Sequence, residues 1–480
     1  MTIPHRRMHI GGTWVDASDG ALLTSENPAT EDPVGTFPAG TAQDVDDAVE
    51  AARAAAPEWA ALGWAGRARL LRELASAVAS EREQLARLDV SDGGAPISGM
   101  RTDVDQTVAE IEYFAGIASQ TRGSSAPPTA ESLTYTLREP YGVVGRIVPF
   151  NHPFKFAAGK CAAPLAAGNA VVLKPGEQTS LSALELARIA EGILPPGVLN
   201  VVTGAGPVVG ARLVEHPDVP RIAFTGSVPT GRAVLHGAAH EIKHVSLELG
   251  GKNPVIVFPD VDPERAARAA VAGMNIARSN GQSCGSGSRL FVHDDVREPF
   301  LDALYRRLSQ MRVGDPMDED TEVGPLAFRS HWERVVGLVE SARSEGATVA
   351  FGGDRPSELH RGFYLSPTVL TGLDDAMTVV RTEVFGPVIS VLGWTDVNDV
   401  VRRANSLPLG LTANIWTNDV TAALRTAKAV ESGYVYVNGT GRRPTGMPFG
   451  GWKQSGIGQE NGPEELVSYT REKTITVTFL

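Results

Sequence analysis

Cys284 is the residue of this chain that is best suited to nucleophilic chemistry. It lies in segment 279–289, which consists almost entirely of small and polar residues between a helical and a strand pattern. Structural cysteines are normally buried among aliphatic side chains, whereas a nucleophilic thiol needs room for a substrate and donors that stabilise the thiolate. Local composition alone leaves a nucleophile and an inert thiol as equal alternatives. The second cysteine, Cys161, lies in an Ala-rich helical pattern that is typical of a protein core.

Glu248 and Asn151 are candidates for proton transfer and for oxyanion binding. Glu248 ends an apolar strand pattern, so we expect burial to raise its pKa toward the range of a general base. A simple ion pair with Lys252 is the alternative. Asn151 lies near two prolines at the expected carboxyl end of a strand, where open α/β sheets bind ligands. It is either a turn residue or a fixed N–H donor for a developing oxyanion.

Two glycine-containing turns are candidates for binding the phosphates of a dinucleotide. Segment 204–210 departs by one residue from the G-x-G-x-x-G pattern, whereas segment 224–231 follows a strand and opens a helix. The second turn is favoured because the N–H groups around Gly226, the Ser227 hydroxyl and the helix dipole can all meet a pyrophosphate.

Two further sets of polar residues have different interpretations. Lys174 and Glu177 follow another strand, from which they can reach ribose hydroxyls as donor and acceptor. His236, His240 and His244 are spaced four apart, which invites a metal interpretation. We expect no metal site, because His244 begins the next strand pattern and breaks the helical register.

Short β-branched runs alternate with Ala/Leu-rich helical stretches along most of the chain. This alternation predicts parallel sheets covered by helices on both faces. Segment 42–90 predicts two amphipathic helices, and segments 132–137 and 472–480 alternate like half-buried strands that often pair with another subunit. The main predicted strands are 143–149, 170–174, 198–203, 221–225, 243–249, 255–258, 288–293, 347–351 and 388–393.

Composition restricts the class of partner. The length of 480 residues predicts two or three domains, and 44 basic against 56 acidic residues give a net charge of −12, which repels nucleic acid and anionic membranes. The most apolar stretch, 154–173, is interrupted by charged residues, glycines and a proline, so no membrane span is expected. Two cysteines and no apolar leader at the start favour a cytoplasmic location.

Taken together and in order, these motifs resemble the NAD(P)-dependent aldehyde dehydrogenase superfamily along nearly the whole chain. Segment 248–252 is similar to the general-base motif of that family, and segment 281–284 is similar to its nucleophile motif. Phe150 and Asn151 resemble its oxyanion motif, with Phe in place of the usual Trp. By this resemblance the cofactor NAD is bound by Phe150, Lys174, Glu177, Gly226, Ser227, Glu383 and Phe385.

The resemblance also implies a fold and its domains. It implies an α/β fold with a Rossmann-type, parallel-sheet cofactor domain, an α/β catalytic domain and a small β oligomerisation arm. The expected boundaries are 1–120 and 142–249 for the cofactor domain, 250–463 for the catalytic domain, and 121–141 with 464–480 for the arm. The expected assembly is a homodimer or homotetramer.

The implied reaction is oxidation of a small-molecule aldehyde to a carboxylic acid. In it, Cys284 attacks the aldehyde carbon, Asn151 and the Cys284 N–H hold the oxyanion, and Glu248 activates the water that hydrolyses a thioester. Glu177 favours NAD over NADP, since it would repel a 2′-phosphate. One alternative is a semialdehyde dehydrogenase that takes a carboxylated substrate, with or without transfer of the acyl group to coenzyme A. The other is a catalytically silent relative.

The substrate tunnel is expected to admit a bulky or aromatic aldehyde. Glycine at position 159 is expected to leave a gap in the tunnel wall, and Gly285 beside the nucleophile removes further bulk. Arg442 and Arg443 support the carboxylated alternative, although paired loop arginines are more often solvated. The expected tunnel residues are Phe156, Gly159, Phe449 and Glu460.

Overall fold

The structure, a computed structural model, describes residues 3–441 and 443–479. Its strands up to residue 250 are β1 (Met8–Ile10), β2 (Thr13–Val15), β3 (Leu22–Glu26), β4 (Pro33–Pro38), β5 (Ser132–Pro140), β6 (Val143–Ile147), β7 (Ala170–Lys174), β8 (Leu199–Val201), β9 (Arg221–Thr225) and β10 (His244–Glu248). The later strands are β11 (Pro254–Val257), β12 (Arg289–His293), β13 (Thr348–Phe351), β14 (Thr368–Thr371), β15 (Val388–Trp394), β16 (Leu409–Gly410), β17 (Thr412–Trp416), β18 (Tyr434–Val437), β19 (Trp452–Lys453), β20 (Gly456–Ile457) and β21 (Thr470–Thr478).

Helices connect most of these strands. The earlier ones are α1 (Ala42–Ala61), α2 (Gly63–Ser80), α3 (Arg82–Gly93), α4 (Ile97–Ile117), α5 (Lys160–Ala167), α6 (Leu181–Ala190), α7 (Ala211–Glu215) and α8 (Val228–Ala239). The later ones are α9 (Pro263–Gly273), α10 (Ile276–Ser279), α11 (Arg297–Ser309), α12 (Arg329–Ser344), α13 (Thr378–Arg381), α14 (Val397–Ala404), α15 (Val420–Ala429) and α16 (Pro463–Ser468). In the described part of the chain, no helix combines the length and the apolar character that crossing a bilayer would require.

The first large sheet has eight strands in the order β2-β1-β8-β7-β6-β9-β10-β20. Its five central strands are parallel, as predicted, and antiparallel strands flank them on both sides. The chain runs from β6 toward β8 on one side and then continues with β9 and β10 on the other. The strand order therefore reverses between β6 and β9, and ligands bind at such a reversal, outside the carboxyl ends of the strands.

Both faces of this sheet are buried under helices. Along β7, Val171 and Leu173 join the core on one face, and Ala170 and Val172 join the core on the other. Successive side chains of a strand point to opposite faces, so a strand covered on both sides is apolar throughout rather than alternating. This explains the short continuous apolar runs from which the strands were predicted.

The second large sheet has seven strands in the order β13-β14-β15-β12-β11-β17-β18, all parallel except β13. The helical pattern that leads to it is broken at Asn275, whose φ of 54° ends one helix at Gly273 and starts α10 at Ile276. This break directs the chain into the loop that carries Cys284. The loop precedes β12, and thus lies at the amino-terminal edge of the second sheet.

The predicted terminal strands pair with each other. β5 and β21 form an antiparallel ladder from Ser132 opposite Thr478 to Pro140 opposite Thr470. Within the described residues this sheet has two strands, and β21 has no second neighbour. Apolar side chains such as Leu137, Val477 and Phe479 are exposed on or beside this arm.

Three boundaries differ from those predicted. Segment 42–93 forms three helices rather than two, because Gly63 adopts a φ of 66° and a second break follows Ser80. Strand β20 lies within the expected catalytic segment 250–463, yet it pairs with β10 and extends the first sheet. Leu466 of α16 packs in the core of the first sheet, although segment 464–480 was expected to belong to the arm.

Candidate active site

The loop that carries Cys284 is held by the side-chain amides of two asparagines. Asn280 has a φ of 55°, and its Nδ2 donates to the carbonyl oxygens of Gly94 at 3.0 Å and Pro325 at 2.7 Å. Asn253, just before β11, donates from Nδ2 to the carbonyl oxygen of Cys284 at 2.7 Å. Because both amides are buried, the loop is positioned before any substrate arrives.

The Asn151 side chain links the carboxyl-terminal edge of the first sheet to the Cys284 loop, which lies at the amino-terminal edge of the second sheet. It follows β6 and is buried, and its Nδ2 donates to the backbone oxygen of Gln282 at 2.7 Å, two residues before Cys284. An amide nitrogen carries two hydrogens, so this bond fixes the group and leaves the second N–H available to an oxyanion. The structure thus brings the predicted oxyanion donor to the loop of the predicted nucleophile.

Glu248 is a buried carboxyl at the carboxyl end of β10. Its side chain is 6% exposed, and neither carboxyl oxygen has a hydrogen-bond partner among the described residues. Burial, followed by the negative charge of Glu460, raises the pKa of Glu248 well above its ordinary value. The alternative of an ion pair with Lys252 is wrong, since the Lys252 amine is also without a partner.

Glu460 lies beside Glu248, but its pKa is shifted in the opposite direction. Arg146 donates to it at 2.7 Å, and the Lys160 amine lies 2.9 Å from its other oxygen. Burial would raise the pKa of Glu460, but these two cations lower it to about 2. Glu460 is therefore an ionised structural partner, and Glu248 is the stronger base of the two. Arg146 and Lys160 lie inside predicted strand and helix patterns, where nothing marked them as site residues.

The two cysteines occupy different environments. Cys161 is 1% exposed in α5, and burial raises the pKa of its thiol to about 12. Cys284 is partly buried and lines a cavity. Burial raises the pKa of Cys284 to about 11, partly opposed by the positive charge of Arg443. Both thiols carry their protons at neutral pH, but only Cys284 has space beside it.

The predicted phosphate turn lies at the point where the first sheet reverses. Ser227 caps α8 by accepting from the Thr230 N–H at 3.3 Å, and the Gly226 N–H donates to the Glu248 carbonyl at 3.0 Å. A side chain at Gly226 would bring its Cβ within 2.4 Å of the Phe224 ring. The turn is thus tied to β10 and holds the N-terminus of a twelve-residue helix toward the cleft.

Lys174 and Glu177 lie at the carboxyl end of β7, on the same edge of the sheet. Burial lowers the pKa of Lys174 to about 8, partly offset by the charge of Glu177. Glu177 accepts from the Gly206 N–H at 3.0 Å, which brings the first of the two candidate glycine turns next to the predicted ribose pair.

The second sheet contributes Glu383 and Phe385 to the same cleft. Glu383 accepts from the Gly251 N–H at 3.0 Å, and burial raises its pKa to about 7. Phe385 has a φ of 60°, and its ring centroid lies 5.8 Å from that of Phe150. His331 contacts the Phe385 carbonyl at 2.8 Å, which holds this unusual backbone in place.

One cavity of about 410 Å³ contains both the thiol and the unpaired carboxyl. Glu248 and Cys284 line it together with three of the expected tunnel residues, Phe156, Phe449 and Glu460. A smaller cavity of about 60 Å³ continues from Cys284 past Gly285 and Tyr436. The Gly285 side of the nucleophile is open, because a Cβ there would meet nothing closer than 4.0 Å.

The expected gap at Gly159 is absent. Gly159 is buried, it does not line the cavity, and a Cβ there would approach the Glu110 carboxylate to 2.6 Å. The carboxylate of Glu110, held by Lys160 at 3.5 Å, fills the space that a larger side chain would take. Sequence spacing placed Gly159 on the correct helix but did not reveal its neighbour from α4.

Besides Lys160, three basic side chains line the cavity, and one of them was a candidate from the sequence. Arg443 was considered as a carboxylate ligand, and it lines both cavities; Arg442 lies outside the described residues. Lys155 and Arg278 line the same walls. Both lie in predicted helices, where a single basic residue is normally solvated. The sequence signals that could have placed them in the site were that Lys155 follows Phe154 and that Arg278 directly precedes the Cys284 loop.

Comparisons with known proteins agree with this geometry. A sequence profile described as "Aldehyde dehydrogenase family" matches residues 14–475. An NAD⁺ complex of an aldehyde dehydrogenase from Bacillus cereus is 40% identical, with 99% of this chain and 97% of that chain covered and a TM-score of 0.96. PnpE from Pseudomonas sp. WBC-3 is 39% identical, with 98% and 97% covered and a TM-score of 0.96. A betaine aldehyde dehydrogenase from Staphylococcus aureus in complex with NAD⁺ is 35% identical, with 98% and 94% covered and a TM-score of 0.95. The chain belongs to the aldehyde dehydrogenase family.

Proposed function

We propose that this protein oxidises an aldehyde to a carboxylic acid, with NAD as hydride acceptor. The observation that carries the proposal is the single cavity lined by the Cys284 thiol and the unpaired Glu248 carboxyl, next to the fixed Asn151 amide. A nucleophile, a base and an oxyanion donor are the groups that covalent oxidation of an aldehyde requires. The test is NADH formation from aldehydes by the purified protein, with carboxylic acid released in equal amount.

The residues of the cofactor cleft fit a dinucleotide. Lys174 and Glu177 offer a donor and an acceptor for ribose hydroxyls, and the N-terminus of α8 beside Ser227 offers N–H groups and a positive dipole end to phosphates. Glu383, with a pKa near 7, can accept from or donate to the hydroxyls of a second ribose. Bound NAD supplies the acceptor for the hydride that leaves the substrate carbon.

The protein's own groups perform the remaining steps. The Cys284 thiol gives its proton to solvent, its sulfur bonds to the aldehyde carbon, and the resulting negative oxygen is held by the Asn151 Nδ2 and the Cys284 N–H. Loss of hydride from this carbon leaves a thioester. Glu248 then takes a proton from water, whose oxygen displaces the sulfur and releases the carboxylic acid. A raised pKa suits this role, because such a carboxylate is basic enough to accept that proton.

Glu177→Gln is expected to narrow the preference for NAD over NADP. A carboxylate repels a phosphate 4 Å away by about 1 kcal/mol in water and about 4 kcal/mol near a protein surface, so the kcat/KM ratio should fall about fivefold or more. Kinetics with both cofactors measure this change, and Glu58→Gln on the exposed face of α1 is the matched control. A wild-type protein that uses both cofactors equally well would contradict the placement of Glu177 at the ribose.

The walls of the site suit a substrate with a planar or bulky body. Phe156 and Phe449 line the cavity, and Tyr436 lines its extension beside the open Gly285 side. Aromatic rings packed against such a substrate would add about 0.5–1.5 kcal/mol per pair beyond simple burial. Because Gly159 is covered by Glu110, the room for this body lies toward Gly285 rather than toward α5.

The arm supports assembly into a homodimer or homotetramer. An isolated two-stranded sheet is marginally stable in water, and a free strand edge such as that of β21 pairs readily with another chain. Light scattering on the purified protein tests this assembly. The reduced thiol that the chemistry requires is consistent with a cytoplasmic location.

A further inference from the structure

Basic side chains are concentrated on one wall of the active-site cavity. Lys155, Arg278 and Arg443 line both the main cavity and its extension beside Cys284, and His152 lines the extension. They come from three separate parts of the chain, since Lys155 follows β6, Arg278 lies in α10 and Arg443 lies in the loop before β19. The fold thus assembles a cationic wall that no single segment contains.

These cations are poorly neutralised by the protein. Lys155 Nζ and Arg278 both donate to the same amide oxygen of Gln106, each at 2.7 Å, so one neutral acceptor serves two positive groups. Asp103 is the carboxylate in contact with this wall, and Arg278 and His152 share it. Arg278 Nε is buried without a partner among the described residues. Burial, then the charge of Arg278, lowers the pKa of Lys155 to about 7.

Arg443 is the third basic side chain of this wall. Its guanidinium carbon lies 3.9 Å from the centroid of the Phe449 ring, and it forms no ion pair among the described residues. A guanidinium stacked on a ring keeps its N–H donors at its edges, where they can bind a planar anion in a bidentate manner. Burial lowers the pKa of His152, which disfavours its charged form. Arg278, Arg443 and the Lys155 amine, whose pKa is about 7, thus face one contacting carboxylate, Asp103, so positive charge exceeds negative charge on this wall.

The acids of the other wall do not offset this excess. Glu460 is paired with Arg146 and Lys160, and Glu110 also lies against Lys160. Burial and the charge of Glu460 raise the pKa of Glu248, which disfavours a further negative charge on this wall. The carboxylates of Glu460 and Glu110 are thus matched by the two cations Arg146 and Lys160, and the excess beside Cys284 remains.

We propose that the substrate is an aldehyde with a carboxylate at its far end, and that Lys155, Arg278 and Arg443 bind this carboxylate. This proposal rests on the proposed function and specifies its substrate class. The proposed substrate keeps the planar body that the aromatic walls favour. Its carboxylate reverses the expectation that neutral bulky aldehydes are preferred over semialdehydes. A carboxylate between two or more cationic donors forms charge-assisted hydrogen bonds, which are about twice as strong as neutral ones.

The test compares aldehydes of equal shape that differ in charge. For 4-carboxybenzaldehyde against its methyl ester, and for succinic semialdehyde against butanal, the wild-type kcat/KM should favour the acid by about tenfold or more. In Lys155→Met and Arg443→Gln this ratio should fall toward one. The matched control is Arg402→Gln, which removes one positive charge from an exposed position paired with Asp399 and should keep the ratio. Equal wild-type kcat/KM for acid and ester would overturn the proposal.

Binding of benzoate, compared with benzamide, separates this proposal from the proposed function. Benzoate carries no aldehyde, so calorimetry measures the carboxylate site without turnover. We expect benzoate to bind the wild-type protein, and to bind Lys155→Met and Arg443→Gln about tenfold more weakly. NADH formation from neutral aldehydes without benzoate binding overturns the carboxylate site alone. Benzoate binding without NADH formation from any aldehyde overturns the oxidation reaction alone.

Discussion

Cys284→Ser is expected to lose about a thousandfold or more of the turnover with any aldehyde. A serine hydroxyl is a far weaker nucleophile than a thiol, and removing the attacking group of a covalent mechanism costs about as much as removing the whole set of catalytic residues. The neighbouring Asn253 and Asn280 keep the loop in place through the backbone, so the variant should fold and should still bind NAD. Steady-state NADH formation and a NAD-binding titration measure the two effects.

The matched control for that variant is Cys161→Ser. Cys161 is buried in α5 among alanines and lines neither cavity, so its sulfur has no access to substrate. A buried hydroxyl without a new partner costs about 1–3 kcal/mol of stability, but turnover of the folded protein should remain near wild type. Equal loss of turnover in both variants, each shown to be folded by circular dichroism, would remove Cys284 from its proposed role.

Glu248→Gln is expected to separate the two halves of the reaction. Acylation needs Cys284 and Asn151, so one equivalent of NADH should still appear in a rapid burst. Release of the acid needs a base for water, so steady-state turnover should fall by about a hundred- to ten-thousandfold. The fold should tolerate the change, because burial disfavours a negative charge at this position and the amide of glutamine is neutral and similar in shape. Stopped-flow absorbance of NADH resolves the burst from the steady state.

The pH dependence gives a second measure of the same residue. Because the pKa of Glu248 is raised, the carboxyl is protonated at low pH, and only its ionised form can accept a proton from water. Steady-state turnover of the wild-type protein should therefore rise as pH increases through this pKa, and Glu248→Gln should lack that rise. An unchanged rise of turnover with pH in the glutamine variant would assign this pH dependence to another group. Glu460 would not account for it, since Arg146 and Lys160 hold its pKa at about 2.

Local sequence patterns were sufficient to predict most of the two large sheets. The apolar runs at 170–174 and 221–225 coincide with β7 and β9, because a strand buried on both faces needs apolar residues throughout. The helix expected over 154–165 begins instead with a π-helical turn, Lys155–Gly159, before α5. That turn depends on packing against α4, which no local period encodes.

The position of the candidate site was also predictable, although its charges were not. Glu248, Asn151 and the turn at Gly226 each follow a predicted strand, and the carboxyl ends of parallel strands meet at one edge of a sheet. The sequence indicated neither the partners of Glu460 nor the neighbour of Gly159. Ion pairs and close contacts of this kind join segments that are distant in the chain, so their formation depends on which elements pack together.

Residue types and their spacing thus predicted the α/β class, the strand ends and the candidate reacting groups, because strand periodicity and turn chemistry act between near neighbours in the chain. The character of the substrate wall came from packing in three dimensions. Lys155, Arg278 and Arg443 are ordinary basic residues in their own segments, and they become a cationic wall only when β6, α10 and the loop before β19 converge on one cavity. Lys155 and Arg278 are also partly buried there, which gives their charges an energetic weight that a fully solvated residue does not have.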